Sequence, residues 1–144
     1  MKLHNYILLL ISLSSVLFNS CETERHPVPN YRFSVTIALN LPDYNSEFFT
    51  LNRDRYGRKA GISGVLIIRK GFDEYYAFER YCPHDKSENC KVSFDDDGFT
   101  ATCSCCQSHF LVAISDGDVI EGPAKYPLKT YRTRLDKNLL TIYN

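Results

Sequence analysis

Short runs of alternating apolar and polar residues make up most of the chain, and a helical period of apolar residues is almost absent. The clearest run is 31–39 (YRFSVTIAL), in which Phe33, Val35, Ile37 and Leu39 fall on one face. Strict alternation of this kind is typical of a β-strand that buries one of its faces. The pattern therefore predicts a domain built from strands.

Turn signals containing Gly, Asp or Asn join further β-rich runs into predicted hairpins. The paired runs are 64–69 with 75–79, 91–94 with 99–103, and 131–135 with 139–143, and a single strand at 119–121 follows an Asp-Gly turn. Closely spaced strands of this kind predict an antiparallel β-sandwich or barrel. The segment 40–63 is the least informative, with a possible strand of irregular entry followed by a charged loop.

The first 20 residues differ in character from the rest of the chain. Lys2 is followed by an apolar run that is too short and too interrupted to span a bilayer as a stable helix. A short positive region followed by an apolar run is typical of a secretory signal peptide. We therefore predict a lipoprotein-type leader at 1–20, a proline-containing tether at 21–30 and one domain at 31–144.

The end of the leader, Leu-Phe-Asn-Ser before Cys21, resembles a bacterial lipobox. The resemblance implies cleavage before Cys21 and acylation of that cysteine, and two or three buried acyl chains anchor a protein stably. The alternative is an ordinary signal peptide followed by an incidental cysteine. We expect an extracytoplasmic protein that is lipid-anchored to a bacterial membrane, on the periplasmic side or at the cell surface.

The charge balance bears on the class of partner. The chain carries 17 basic and 17 acidic residues, and loss of Lys2 with the leader leaves the mature chain close to neutral. Proteins that bind nucleic acids carry clustered basic surface, which this balance does not favour. We therefore expect no nucleic-acid partner.

Cysteines crowd one part of the predicted domain. Five of them lie within residues 82–106, and His84 and His109 lie in or beside the same stretch. Thiolate and imidazole are ligands of soft and borderline metals, whereas cysteines in an oxidising compartment commonly pair as disulfides. The stretch therefore predicts a metal site, a set of disulfides, or both.

Three segments in and after this stretch carry a family resemblance. They are Cys-Pro-His at 82–84, Cys-Ser-Cys-Cys-Gln-Ser-His-Phe at 103–110 and Gly-Pro-Ala-Lys-Tyr-Pro-Leu at 122–128. Together they resemble the Rieske iron–sulfur family, whose C-x-H and C-x-x-H loops hold a [2Fe-2S] cluster. The resemblance implies an all-β, Rieske-like antiparallel sandwich or barrel with two metal- or disulfide-bearing loops at one tip, covered by the Gly-Pro-Ala segment.

The resemblance also implies a ligand set, which depends on the register of the second loop. A literal match pairs Cys106 with His109, but aligning Ser108 and Phe110 with the family's serine and phenylalanine places Cys103 on its cysteine and Cys106 on its histidine. This register makes His109 only an alternative ligand. The implied ligands of a [2Fe-2S] cluster are then Cys82, His84, Cys103 and Cys106.

The same register implies a disulfide between Cys90 and Cys105, at the places where some family members link their two loops. The choice between Cys105 and Cys106 as the fourth ligand stays open at this point. Gln107 stands where the family has a glycine, which removes backbone freedom beside the site. A thiolate in place of an imidazole predicts a reduction potential below the two-histidine range.

Two classes of function follow from these patterns. The first is a membrane-anchored electron-transfer module, a carrier and not a catalyst, that works with an unidentified periplasmic or surface redox partner. The second is a cluster-free, disulfide-stapled Rieske-like lipoprotein with an interaction or structural role. A zinc ion held by the same three cysteines and one histidine is a further alternative.

Overall fold

A computed structural model describes residues 25–144, so the predicted leader, Cys21 and the first residues of the predicted tether lie outside the described residues. This part of the chain contains strands and one short 3-10 helix, Pro42–Tyr44. The strands are β1 (Ser34–Ala38), β2 (Phe48–Leu51), β3 (Val65–Arg69), β4 (Tyr75–Glu79), β5 (Val92–Phe94), β6 (Thr100–Cys103), β7 (His109–Leu111), β8 (Asp118–Glu121), β9 (Thr130–Asp136) and β10 (Leu139–Tyr143).

The strands form two antiparallel sheets, as the turn-linked runs predict. The larger sheet has six strands in the order β1-β10-β9-β4-β3-β2, and the smaller has four in the order β5-β6-β7-β8. Strand β4 coincides with the predicted run 75–79, and the three predicted hairpins are all present. The all-β prediction is therefore confirmed. Strand β7 was not predicted, because its three residues follow directly on the cysteine-rich segment.

The central strand β3 is buried on both faces, which explains its unbroken apolar sequence. Val65 and Ile67 pack into a core on one face of the larger sheet, with residues of β1, β2 and β10. Leu66 and Ile68 face the other way and join a second core together with residues of the smaller sheet. The second core ties the two sheets together.

Three connections leave the sheets close to this second core. We call residues 80–91 between β4 and β5 the first loop, residues 104–108 between β6 and β7 the second loop, and residues 122–129 between β8 and β9 the cover loop. Cys82, Cys103 and Ala124, at or beside these loops, are all buried members of the second core. The fold therefore brings the three segments of the family resemblance together.

The described part of the predicted tether packs against the domain. Val28 is buried in a small cluster with Ile62 and Tyr81. The ring of His26 forms a 2.9 Å hydrogen bond with the carbonyl oxygen of Pro127 in the cover loop. Within residues 25–144, no helix is long and apolar enough to cross a membrane.

A buried carboxylate holds the start of the first loop. Glu79, the last residue of β4, is fully buried. Its Oε1 accepts hydrogen bonds from the backbone N–H groups of Ser63, at 2.9 Å, and Tyr81, at 2.8 Å. Its Oε2 accepts hydrogen bonds from the N–H of Ile62 and the hydroxyl of Tyr131, each at 2.6 Å. Burial and then the negative charge of Glu79 raise the pKa of Tyr131.

We expect Glu79→Gln to lower the free energy of unfolding by about 2–4 kcal/mol, because in either orientation the amide nitrogen would face at least one backbone N–H group, which can only donate. Tyr131→Phe is the matched control, since it removes one donor and leaves the carboxylate in place, and should cost about 1 kcal/mol. Urea unfolding of both variants measures the difference. A Glu79→Gln loss no larger than that of Tyr131→Phe would contradict this role for the carboxylate.

Candidate metal centre

The first loop turns back on itself immediately after Cys82. The N–H of Lys86 donates to the carbonyl oxygen of Cys82 at 3.1 Å, and Lys86 adopts a positive φ of 52°. The N–H of Cys82 donates to the carbonyl oxygen of Cys90 at 3.3 Å. The loop therefore closes with Cys82 and Cys90 on adjacent stretches of backbone.

The second loop is a tight turn between Cys103 and Ser108. The N–H of Cys103 donates to the carbonyl oxygen of Ser108 at 3.0 Å, and the N–H of Gln107 donates to the carbonyl oxygen of Cys103 at 3.2 Å. Gln107 has a φ of 57°, in the left-handed region that glycine favours. Gln107 therefore adopts a glycine-like backbone conformation at the position where the family pattern has a glycine.

A disulfide joins the two loops. Cys90 in the first loop and Cys105 in the second are bonded, with their Cα atoms 5.3 Å apart and a sequence separation of 15. Closing a loop of about 15 residues in the unfolded chain is worth about 3 kcal/mol. This is the pair that the resemblance implies, and it leaves Cys106 as a free thiol.

The free thiols of Cys82, Cys103 and Cys106 converge beside this disulfide. The Sγ atoms of Cys82 and Cys106 are 3.7 Å apart, and the Sγ of Cys103 donates to Oδ2 of Asp85 at 3.0 Å. The three sulfurs and one carboxylate oxygen of Asp85 all lie within 4.8 Å of one another. Cys82 and Cys103 are fully buried, and Cys106 is half-buried.

Two opposing influences act on the pKa of the buried thiols. Burial raises the pKa of Cys82 and of Cys103, and the hydrogen bond to the Asp85 carboxylate raises that of Cys103 further. The backbone N–H groups of Asp85 and His84 are hydrogen-bonded to Cys82 and act in the opposite direction. Both thiols are therefore protonated at neutral pH in this structure, with backbone donors already directed at Cys82.

The pKa of the Asp85 carboxyl is lowered, whereas the pKa values of the thiols are raised. Burial acts to raise its pKa, but hydrogen bonds from Cys103, Cys106 and Cys82 outweigh that effect and hold the pKa of Asp85 below its usual value. Asp85 also lies within 4.8 Å of the disulfide sulfurs of Cys90 and Cys105. The carboxylate thus lies close to both the disulfide and the three free thiols.

Neither predicted histidine belongs to this group of side chains. His84 is exposed, and its ring is not among the groups that lie within 4.8 Å of the three sulfurs. His109, the alternative ligand, lies on β7, where its Nδ1 forms a 2.9 Å hydrogen bond with the hydroxyl of Thr102 and is 4.0 Å from Asp95. The structure brings together Cys82, Cys103 and Cys106 of the predicted ligand set.

The cover loop packs on the second loop through Ser108. The hydroxyl of Ser108 accepts a 3.0 Å hydrogen bond from the N–H of Ala124 and lies 3.2 Å from the Sγ of Cys106. A Cβ on Gly122, which has a φ of 98°, would lie 2.6 Å from the Cα of Ser108. This close approach requires a glycine, which accounts for the first residue of the Gly-Pro-Ala segment.

The donor set fits a thiolate-ligated metal group. Soft thiolates are the ligands of iron–sulfur clusters and of zinc, and here three of them meet in a largely buried pocket. Backbone N–H groups hydrogen-bonded to Cys82 would stabilise its thiolate once a metal removes the proton. In donor type, the residues present therefore match the ligands of iron–sulfur clusters and of other thiolate-bound metals.

Asp85 was not among the site residues predicted from the sequence. It follows the C-x-H pair directly, so its position in the first loop was available as a signal. A carboxylate is an uncommon ligand beside thiolates, and the neighbouring histidine matched the family pattern. Only the fold shows that Asp85, and not His84, turns its side chain toward the sulfurs.

Comparisons with known proteins support the family resemblance. The family model of the Rieske [2Fe-2S] domain matches residues 42–132. The cytochrome b6-f complex iron-sulfur subunit of Chlorobaculum thiosulfatiphilum is 27% identical over 105 residues, which cover 73% of this chain and 49% of that protein. The chain thus spans about half the length of this curated relative.

A comparison with solved structures also found a similar chain. It is the complex of reduced oxygenase and oxidized ferredoxin in carbazole 1,9a-dioxygenase, with a TM-score of 0.47 and 19% identity. The similarity covers 78% of this chain and 92% of the chain in that structure.

We expect Gln107→Gly to raise the free energy of unfolding by up to about 1 kcal/mol, because glycine relieves the cost of the left-handed conformation. Gln107→Ala is the matched control: it also removes the 3.3 Å hydrogen bond from Gln107 Nε2 to the carbonyl oxygen of Ser104 but keeps a Cβ. Urea unfolding should show the Ala variant at or below the wild-type value. Equal stability of the two variants would argue against a backbone cost at this position.

Proposed function

This chain belongs to the Rieske [2Fe-2S] domain family, and we propose that it is a one-electron carrier whose cluster is held by the first and second loops. The observation that carries the proposal is the convergence of the Cys82, Cys103 and Cys106 thiols at one end of the β-domain. A bound [2Fe-2S] cluster supplies reversible one-electron chemistry there. The resemblance implies His84 of the first loop as the fourth ligand, and the Asp85 carboxylate lies beside the three sulfurs.

The protein's own part is to exclude water and to fix the sulfurs. Cys82 and Cys103 are fully buried, and Ala124 of the cover loop packs in the same apolar cluster. The disulfide between Cys90 and Cys105 holds the two loops together independently of any metal. Rigid ligands and a dry surrounding reduce the reorganisation that accompanies electron transfer, because few dipoles need to turn when the charge changes.

The ligand set also supports a low reduction potential. Three anionic thiolates replace the two-cysteine, two-histidine set that gives Rieske centres potentials of about −150 to +300 mV. The additional negative charge stabilises the oxidised cluster relative to the reduced one. We propose a potential closer to that of plant-type ferredoxins, at about −400 mV.

Membrane attachment and a redox partner are part of the proposal. The lipobox-like end of the leader supports a lipid anchor at Cys21, and therefore an extracytoplasmic location. The curated relative is a subunit of a cytochrome complex, which supports a partner protein that exchanges single electrons with this domain. We propose that this partner is itself extracytoplasmic.

A second candidate function is a cluster-free lipoprotein with an interaction or structural role. The observation in its favour is that the thiols already have partners within the protein: Cys103 donates to Asp85, and Cys82 contacts Cys106. No buried side-chain nitrogen or oxygen among the described residues lacks a hydrogen-bond partner. Such a satisfied site is stable without a metal, with the Cys90–Cys105 bridge as the staple.

Anaerobic reconstitution with ferrous iron and sulfide separates the two candidates. We expect about two iron and two sulfide per chain, a visible charge-transfer spectrum, an EPR signal after reduction, and a midpoint potential below the two-histidine range. The leaderless chain should be expressed in the cytoplasm and compared with the exported form, because an oxidising compartment removes free thiols. A colourless protein in both preparations would support the cluster-free candidate.

We also expect Ser108→Ala to lower the midpoint potential of the reconstituted protein by tens of millivolts, since about 59 mV corresponds to about 1.4 kcal/mol for one electron. The Ser108 oxygen accepts from Ala124, so its own proton is free to be donated to the Cys106 sulfur 3.2 Å away. Hydrogen bonds to cluster sulfurs raise the potential. Ser104→Ala, an exposed serine in the same loop, is the control, and an equal effect of both changes would contradict this role.

A further inference from the structure

The donors between the first and second loops are spaced like the ligands of a single metal ion. The three free sulfurs and one oxygen of Asp85 all lie within 4.8 Å of one another, and the Sγ atoms of Cys82 and Cys106 are 3.7 Å apart. Around one tetrahedral zinc ion, the known bond lengths place two sulfurs about 3.8 Å apart and a sulfur and an oxygen about 3.6 Å apart. A two-iron cluster divides its ligands between two metals, so ligands on different irons lie further apart.

We propose that the metal-free chain binds one Zn²⁺ ion at this place, through the thiolates of Cys82, Cys103 and Cys106 and the carboxylate of Asp85. The proposal goes beyond the proposed function, because zinc has no redox chemistry. The ion uses the same three sulfurs as the cluster, so one chain holds either zinc or a cluster. Four anionic donors around Zn²⁺ give the same net charge as the four-cysteine sites that hold structural zinc.

The backbone of both loops is arranged to hold thiolates. The sulfur of Cys82 is hydrogen-bonded to the backbone N–H groups of the residues two and three positions further on, and the sulfur of Cys103 is hydrogen-bonded in the same way. The third sulfur, that of Cys106, lies 3.2 Å from the hydroxyl of Ser108. Hydrogen bonds of this kind orient metal ligands, and here they exist before any metal is bound.

Zinc uptake needs only a small movement of the side chains. The Sγ of Cys103 and the Oδ2 of Asp85 are 3.0 Å apart and share a thiol proton, and they need to separate by about half an ångström when zinc replaces that proton. Binding releases the protons of the three thiols to solvent. The disulfide between Cys90 and Cys105 takes no part in the exchange and keeps the two loops in place.

The first test titrates the whole metal-free chain with Zn²⁺, in detergent and without oxygen, and repeats the titration with Co²⁺ as a spectroscopic probe. We expect one ion per chain, and we expect zinc to protect all three free thiols from a thiol reagent. Cobalt should show thiolate charge-transfer bands and the strong d–d bands of four-coordinate Co²⁺. Two ions per chain, or the weak bands of six-coordinate cobalt, would overturn the proposal.

Variants test the place of the Asp85 carboxylate in the donor set. We expect Asp85→Asn to weaken Zn²⁺ binding by at least about tenfold, because the loss of a group that only hydrogen-bonds to a ligand already costs about 10–100-fold. Asp85→Cys should restore the affinity. Glu88→Gln is the matched control, since Glu88 is an exposed carboxylate of the same loop, 2.9 Å from Lys59. An equal loss in Glu88→Gln, or a loss in His84→Ala with none in Asp85→Asn, would overturn the assignment.

X-ray absorption at the zinc edge of the loaded wild-type chain does not depend on whether Asp85→Asn folds. We expect three sulfur neighbours at about 2.3 Å and one oxygen neighbour at about 2.0–2.2 Å. The multiple-scattering pattern of an imidazole ring should be absent. That pattern would overturn the proposed donor set, because it would place a histidine in the fourth position.

Competition with cluster assembly separates this proposal from the proposed function. We expect the zinc-loaded chain to assemble no cluster from ferrous iron and sulfide until a chelator removes the zinc. A chain that binds zinc in this way but never assembles a cluster would refute the proposed function and support the zinc site. A chain that assembles a cluster but takes up no zinc, or that holds both together, would overturn the zinc proposal and leave the proposed function supported.

Discussion

The carboxylate of Glu79 is the constraint on which the rest of the site depends. It accepts hydrogen bonds from the backbone of Ile62, Ser63 and Tyr81 and from the hydroxyl of Tyr131, and it is fully buried. A buried charge of this kind is tolerated only where donors satisfy it completely. The backbone of Tyr81 is therefore fixed, and the next residue in the chain is Cys82. The end of β4 thus determines where the first sulfur lies.

The disulfide and the three free thiols have different roles in the site. The bond between Cys90 and Cys105 keeps the two loops side by side in the metal-free protein. Metal binding therefore does not have to supply the entropy cost of bringing the loops together. The three remaining thiols then need only lose their protons. Burial keeps those of Cys82 and Cys103 protonated, so metal uptake must release protons and becomes more favourable as the pH rises.

The sequence predicted the fold well because most of its signals are local. Alternation defines β1, and Gly-, Asp- and Asn-containing turns define the hairpins. The cysteine pairing of Cys90 with Cys105 and the contact of the cover loop came only from the family resemblance. Local signals did not reveal β7, whose three residues are too few for a pattern. Nor did they reveal the burial of Val28, which depends on Ile62 and Tyr81 far along the chain.

The difference between local signals and contacts made in the folded chain also explains why Asp85 was missed. For the same reason, Glu79 was not recognised as a determinant of the site. Both are acidic residues whose importance arises from groups that meet them only in the folded state. Spacing in a motif identifies which residues are near one another in the chain. Adjacent residues in a loop, such as His84 and Asp85, nevertheless point in different directions. The backbone conformation decides which of the two side chains faces inward. Here the turn closed by the Lys86 N–H and the Cys82 carbonyl oxygen leaves His84 exposed and directs Asp85 to the thiols. The backbone of this one turn therefore decides whether the histidine or the carboxylate faces the cysteine sulfurs.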